Sequence, residues 1–326
     1  MSTTPSQSTT IARSAGTVSV AVFTSRILGL VREQVFAAFF GAGFAFDAFV
    51  VAYRIPNLLR DLFAEGALSS AFVTVFTDYR TKKGPEQTWR LANTVITAAL
   101  VIVGGLSLIG MVSSGFIVRI MSPDFAKVAG KIELTTFMTW IMFPFLLLVS
   151  LSAIAMGMLN SFGRFFIPAM ASSFFNIGSI ASGILLSFCM PLAGLHPIVG
   201  MALGVLVGGF LQLWVQRPSL RREGFRYRPV LDFKDPGLVR VGKLMLPAVI
   251  GLAAVEVNIF INTFFAASCA EGSVSWLSYA FRIMMFPIGL VGVSLSIATM
   301  PVVSRLAAQG DMQGLRQAYV SSTILS

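Results

Sequence analysis

The run Leu91–Val118 reads LANTVITAALVIVGGLSLIGMVSSGFIV and contains no charged residue. A bilayer core of about 30 Å is crossed by about 20 predominantly apolar helical residues, so the run is read as a membrane span. The same ruler finds further spans at Ile11–Phe40, Phe46–Tyr79, Leu134–Leu159, Ile167–Phe188, Ile198–Val215, Leu244–Ala267 and Val274–Ala307. A ninth begins near Leu315 and meets the end of the chain. The fold class is therefore an all-α integral membrane protein. The first, second and eighth spans exceed a simple crossing, which predicts tilts, breaks or interfacial extensions. Pro56, Pro144, Pro247, Pro287 and Pro301 lie within or at the ends of spans, where a missing backbone donor promotes a kink.

Composition agrees. Of 326 residues 56% are hydrophobic and 12% charged, against about 25% charged in an average soluble domain. That excludes a soluble enzyme and a disordered chain. Twenty-nine Phe, 29 Gly and 15 Met suit closely packed, lipid-facing helices. Two Cys and one His leave little room for a disulfide framework, a zinc site or thiol–imidazole catalysis. The net charge of +10 would suggest nucleic acid in a soluble protein; here the positive-inside rule accounts for it.

With the N-terminus inside, the cytoplasmic loops collect 16 Lys and Arg, half of them between Arg217 and Lys243. The outer loops hold only Arg119, Lys127 and Lys131. This asymmetry sets an N-inside topology. Met1–Thr10 is polar and uncharged, and the first span is too long for a cleavable signal, so the chain from Ile11 is expected to remain in the mature protein.

Five arginines remain, all within spans: Arg26, Arg32, Arg54, Arg60 and Arg282. Even the lower, insertion-based cost is about 2.5–3.5 kcal/mol for an arginine at a helix centre. Intramembrane charge is thus the main functional signal. The first two spans share a pattern, Arg26-Ile-Leu-Gly-Leu-Val-Arg32-Glu33 and Arg54-Ile-Pro-Asn57-Leu-Leu-Arg60-Asp61. Arginines six apart on a straight helix point about 120° from each other, and a bend at Gly29 or Pro56 would turn both towards one cavity. Glu33 and Asp61 can pair with the preceding arginine or with a neighbour; locking helices together is the plainer role of such pairs.

Val51-Ala-Tyr-Arg54-Ile55 also matches Tyr279-Ala-Phe-Arg282-Ile283, with Gly43 and Gly272 upstream. Six spans separate the two copies, an even number, so both run the same way. The pattern suggests two homologous bundles in parallel orientation: a six-helix lobe over 1–216, a basic cytoplasmic linker over 217–243 and a partial second lobe over 244–326. The linker joins the bundles and sets topology, and its bases can also rest on anionic headgroups, at about 1 kcal/mol each.

The stretch Ser25–Glu33, then Phe40-Gly-Ala-Gly-Phe-Ala-Phe-Asp47-Ala-Phe, then Arg54-Ile-Pro-Asn-Leu-Leu-Arg60-Asp61-Leu-Phe-Ala-Glu65-Gly-Ala closely resembles the MurJ/MviN lipid II flippase family of the multidrug/oligosaccharidyl-lipid/polysaccharide exporter superfamily. Leu159-Asn-Ser-Phe-Gly-Arg-Phe-Phe-Ile-Pro168 and Gly272–Arg282 extend the resemblance, which covers the chain from about Ile11. It implies two six-helix lobes around a cavity open alternately to each side. It also implies a bacterial inner-membrane transporter of undecaprenyl-pyrophosphate bearing the disaccharide–pentapeptide of peptidoglycan. By motif position Arg26, Arg32, Arg60 and Arg282 correspond to cavity arginines, Arg54 to a further basic position, and Asp47 and Glu65 to acids of the signature helices. Membrane lipids and other cell-wall synthesis proteins are the expected partners. Members of the family are longer, so the chain is expected to be a fragment.

The chemistry suits the carriage of a pyrophosphate diester, since guanidinium groups stay charged and meet phosphate oxygens in a planar fork. Members of the family often carry acids around the eighth-span arginine; here Phe281 and Met285 stand there, and Glu256 sits mid-span in the seventh helix. Glu256 is read as a counter-charge to Arg282, as a proton or cation site, or as a protonated, hydrogen-bonded acid beside Asn258. The competing functions are export of another lipid-linked oligosaccharide or an organic cation, a polyprenyl-phosphate enzyme, and a degenerate scaffold. Cavity arginines have the wrong sign for a cation, and dispersed acids lack an enzyme's paired carboxylates. No cofactor is implied. With no Gly-x-x-x-x-Gly-Lys-Ser/Thr loop, the drive falls to the membrane potential or to a sodium or proton gradient, and the residues do not choose among them.

The remaining candidates read as structure. His196 is a solvated or capping residue, Cys189 and Cys269 are free buried thiols, and the four Trp are interfacial belt residues. The small residues of Gly204-Val-Leu-Val-Gly208 are packing positions.

Overall fold

Long uncharged runs can satisfy their backbone groups in lipid only by coiling into helix or closing a barrel, and among the described residues every regular element is helical. The computed structural model describes residues 7–61, 67–285, 287 and 314, with side chains from residue 19. In chain order the helices are α1 (Gln7–Phe40), α2 (Phe44–Leu59), α3 (Ser69–Lys82), α4 (Gly84–Val112), α5 (Ser114–Met121), α6 (Lys131–Met142), α7 (Pro144–Ser161), α8 (Phe166–Cys189), α9 (Ile198–Trp214), α10 (Arg217–Arg222) and α11 (Pro236–Ala267). A further helix, α12, is described over 273–285. Among the described residues, five helical stretches are long and apolar enough to cross a membrane: Gly84–Val112, Lys131–Ser161, Phe166–Ala193, Ile198–Arg222 and Pro236–Ala267. The chain divides into two units, Met1–Trp276 and Leu277–Ser326. The expected eighth span beyond 285 and the ninth lie outside the described residues, residues 287 and 314 apart.

The breaks have local causes. The second expected span divides into α2 and α3, with wide π-type turns at 60–61 and 67–68 a few residues past Pro56. The third does not run to Val118; it stops at Val112 and restarts at Ser114. Ser113, Ser114 and Gly115 are poor helix interior residues, and the short α5 buries Val118 and Met121. Pro144 opens α7 and divides the fourth span where a kink was expected.

The tightest packing joins α8 to α9 along Ser179, Gly183 and Ser187 on one helix and Gly200, Gly204 and Gly208 on the other. A Cβ at Gly204 would lie 2.8 Å from both the Gly183 Cα and the Ser179 carbonyl; one at Gly208 would lie 2.6 Å from the Phe175 carbonyl. Without a hydrophobic drive between helices in lipid, such small-residue seams let backbones approach and gain dispersion energy. The sequence reading of this run as packing positions holds.

At one end of the bundle the basic loops gather. Arg164 pairs with Glu223 at 2.8 Å, Arg240 with Asp78 at 2.6 Å and Arg90 with Asp232 at 3.6 Å. Trp89, expected in an interfacial belt, packs instead in an aromatic cluster with Phe76, Phe162 and Phe225, because α4 begins seven residues before Leu91 and carries Trp89 over α3 and α7. Trp140, Trp214 and Trp276 are exposed.

The opposite end is closed around Asp47, which is 1% exposed. Its carboxylate accepts from Lys131 Nζ at 3.1 Å, from the Gly272 and Ser275 amides at 2.8 and 2.9 Å, and from Ser275 Oγ at 2.5 Å. Glu271 reciprocates by accepting from the Phe44 amide at 2.8 Å. Each acid thus caps the other's helix, which satisfies donors that a helix start leaves open. Gly272 holds φ of 92°, a conformation side chains disfavour, and so aims its amide at Asp47. The Asp124 carboxyl is held below its ordinary range by hydrogen bonds from Lys127 and Ser268, which fixes the same end. His196 caps α9, its Nδ1 accepting from the Ile198 amide at 3.2 Å; burial lowers its pKa and favours the neutral acceptor form. Cys189 and Cys269 are free but exposed rather than buried, since both stand at helix ends facing outward.

Two outcomes are expected. Gly204→Val should lower the thermal midpoint in detergent by an amount equivalent to about 1–3 kcal/mol or more, while Gly105→Ala, with nothing within 4 Å, should not. Asp47→Asn should cost about 3–5 kcal/mol by leaving Lys131 buried and unpaired, and adding Lys131→Met should recover much of the loss. Equal midpoints for the single and double variants would refute the pairing.

Candidate functional site

Arg26, Arg32 and Glu33 stand on α1. Arg32 is 7% exposed, donates to Glu33 Oε1 at 3.0 Å and sets its guanidinium 5.2 Å from the centre of the Phe175 ring. The expected pairing of the second arginine with the following acid is present. Arg32 Nε is buried without a hydrogen-bond partner. α1 is positioned by α8, where Asn176 Nδ2 donates to the Ser25 carbonyl at 3.2 Å in the space left by Gly29.

The same device recurs on α2. Arg60 donates through Nε at 3.0 Å and through a terminal nitrogen at 2.7 Å to Asp61 Oδ1, and Asn57 Nδ2 holds Oδ2 at 3.0 Å. Both carboxylate oxygens are therefore occupied. The wide turn at 60–61 changes the angular spacing after Pro56, so Arg54 and Arg60 do not follow the straight-helix projection. Arg54, Arg60 and Asp61 are all half-buried.

Glu256, half-buried on α11, lies within electrostatic reach of Asp61, Arg54 and Arg60. Its surroundings thus include the α2 cluster. Asn258, its expected partner, is exposed and bonded to Asn262 at 3.3 Å. Arg282 belongs to the second unit and is exposed. Glu65 lies outside the described residues. Asp47 sits in the end closure, apart from the arginines, as a helix-capping and ion-pairing group.

Sequence reasoning missed four participants. Lys131 was counted as an outer-loop charge, yet it is 2% exposed, with its ammonium 4.3 Å from the Phe125 ring centre. A base at the first position of an apolar span, opposite an acid at the start of another, was the available signal. Glu271 and Ser275 carried none beyond the neighbouring Gly272. Tyr53 was quoted only as part of the repeat; its hydroxyl is buried without a hydrogen-bond partner, and its ring lies 6.0 Å from Phe145, which in turn lies 5.4 Å from Phe175 beneath Arg32. One aromatic path thus joins α1, α8, α7 and α2.

Chemically, the arrangement presents guanidinium groups on two helices, each second arginine held by the carboxylate that follows it. An anion with several oxygens can compete for those donors. Among the described residues no group of three or more His, Cys, Asp and Glu side chains could hold a metal ion.

Residues 36–326 match the family model described as Lipid II flippase MurJ. The chain is 36% identical over 282 residues to a probable lipid II flippase MurJ of Buchnera aphidicola subsp. Schizaphis graminum, covering 86% of the chain and 54% of the relative. It is 34% identical over 299 residues to the lipid II flippase MurJ of Burkholderia cenocepacia, covering 90% and 57%. A solved structure titled as lipid II flippase MurJ in an inward closed conformation superposes with a TM-score of 0.76 at 27% identity, over 94% of this chain and 62% of that one. A multidrug resistance MATE family transporter of the MOP superfamily shares the fold at 14% identity, with a TM-score of 0.69 over 94% of this chain and 66% of that one. The chain spans little more than half the length of these curated relatives. The family-model match over residues 36–326 and the identity to curated relatives agree with the multi-pass helical architecture: the chain belongs to the MurJ family of lipid II flippases.

Proposed function

We propose that the protein moves lipid II, the undecaprenyl-pyrophosphate-linked disaccharide–pentapeptide, from the inner to the outer leaflet of the bacterial cytoplasmic membrane by alternating access. The family match supports the reading, and the observation that carries it is the pair of arginine–acid units on α1 and α2. In this reading the first six-helix lobe spans 1–216, the linker 217–243 and the second lobe begins at 244. Arg26, Arg32, Arg54, Arg60 and Arg282 take the pyrophosphate. Glu33, Asp61 and Glu256 hold the guanidinium groups while the site is empty, with Asn57 fixing Asp61. When the diphosphate arrives it replaces carboxylate oxygens on the arginine forks, so charge in the low-dielectric region stays paired throughout.

The Asp47 closure then has a mechanical role. It shuts the end that the charge asymmetry places outside, and it must part for release there. The four hydrogen bonds on one carboxylate form and break together, which favours two discrete states over a graded opening. A multidrug-type exporter of a cation would meet the wrong electrostatic sign.

In cells depending on the complete protein, Arg60→Ala and Arg282→Ala should each reduce surface-accessible lipid II at least tenfold with the protein still in the membrane. A lipid II accessibility assay reads this, and wild-type flipping in both variants would refute the substrate site. The N-inside topology makes a second prediction. Exposed Cys189 and Cys269 should react with a membrane-impermeant maleimide from the outer face of intact cells, with Cys269→Ser removing part of the label. Labelling only after permeabilisation would reverse the orientation.

A further inference from the structure

The connection between α10 and α11 contains a non-helical strap, residues 225–232, laid along α4. Its backbone donors are captured by two α4 side chains that face inward. Asn93 Oδ1 accepts from the Arg228 amide at 3.0 Å, and Thr97 Oγ1 accepts from the Val230 amide at 3.2 Å. Pro229, between them, has no amide hydrogen. The Tyr227 hydroxyl meets Thr97 Oγ1 at 3.1 Å, and the Thr97 hydroxyl donates to the Asn93 backbone carbonyl at 2.8 Å. The strap therefore has no open amide donor from 228 to 230.

Depth explains this satisfaction. Asn93 and Thr97 lie two and six residues past Leu91, where the uncharged run of α4 begins; six residues are about 9 Å of helix. Non-helical backbone at that level must have its polar groups paired. The strap's outward side chains are of two kinds. Leu231 and Phe233 are 62% and 49% exposed. Arg226, Arg228 and Lys234 are exposed and make no ion pair among the described residues. The nearby acids are engaged elsewhere: Asp232 with Arg90 and the Lys234 amide, Glu223 with Arg164, and Asp235 capping α11 through the Gly237 and Leu238 amides. Exposed apolar anchors interleaved with unpaired bases form the pattern that binds an anionic bilayer surface.

We infer that the strap and the turn that follows it, over residues 226–234, form an interfacial binding site for an anionic phospholipid, with Leu231 and Phe233 entering the acyl boundary and Arg226, Arg228 and Lys234 on the headgroup phosphate. The site is separate from the intramembrane arginines and does not depend on the transported substrate. Because Asp235 caps α11 directly after the strap, lipid bound there fixes the start of the helix that leaves the first lobe.

The test uses the purified chain and native mass spectrometry with phosphatidylglycerol or phosphatidylcholine added. The triple change Arg226→Gln, Arg228→Gln, Lys234→Gln should weaken phosphatidylglycerol binding at least about tenfold and leave phosphatidylcholine binding unchanged. The matched triple Arg221→Gln, Arg222→Gln, Lys243→Gln, also at exposed positions, should weaken it less than threefold. Equal losses would mean diffuse attraction and overturn the site. Inorganic phosphate at the lipid's concentration should not compete; full competition would make this a free-phosphate site. In a second arm, Phe233→Trp in vesicles of brominated phosphatidylglycerol should add a quenched, blue-shifted emission over wild type. An added component that stays water-like and unquenched would place the strap against water or another protein and refute the proposal.

Discussion

A carboxylate removed from water needs its lone pairs filled, and Asp47 fills them from two other elements: the amine of Lys131 at the start of α6, and the amides and hydroxyl at the start of α12. Taking the charge out of water is affordable only when all of these arrive together. The loop after α11, the turn before α6 and the start of α2 are therefore fixed relative to one another by a single group. Glu271 on the Phe44 amide makes the arrangement reciprocal. A closure built this way favours full satisfaction, because a half-satisfied buried carboxylate is costly.

Hydropathy made the helical class legible, since lipid leaves so few alternatives for the backbone. It also located α1, α8 and α9 within a few residues. Interruptions were harder to read. Pro144 announced its break, whereas Ser113 did so only weakly, because two serines and a glycine lower helix propensity without forbidding helix. The Arg-acid repeats were read with their partners, as the pairing is between sequence neighbours: Arg32 with Glu33, Arg60 with Asp61. Lys131 was not, since its partner is 84 residues away and nothing in a charge count separates a solvated loop lysine from a buried one. The same holds for Trp89, whose place depends on how far α4 extends past its apolar run.

The arginines show how charge on these helices is held by a counter-charge one residue away. Each second guanidinium leans on the acid beside it, and Arg32 adds an aromatic face, Phe175, which attracts a cation at little desolvation cost. A partner one residue away has little freedom to leave. In the proposed function, that keeps the carboxylate at hand to retake the fork when a displacing anion departs. A distant partner would need a helix movement to do the same.

α11 connects the two ends. Its fully buried residues are Gly237 and Val241 near one terminus and Thr263 and Ala267 near the other, with half-buried positions such as Glu256 between them. At the first terminus Gly237 sits where a Cβ would meet Leu91 and the Tyr79 hydroxyl, directly after the strap. At the second, the Asp47 closure follows within a few residues. A helix of 32 residues spans about 48 Å, and midway along it Glu256 stands within electrostatic reach of Arg54, Arg60 and Asp61. Pro247, which removes one backbone hydrogen bond near the strap end, supplies the place where it can bend. The strap and the Asp47 closure, at opposite faces of the membrane in this reading, are thereby joined by one continuous helix that contains Pro247.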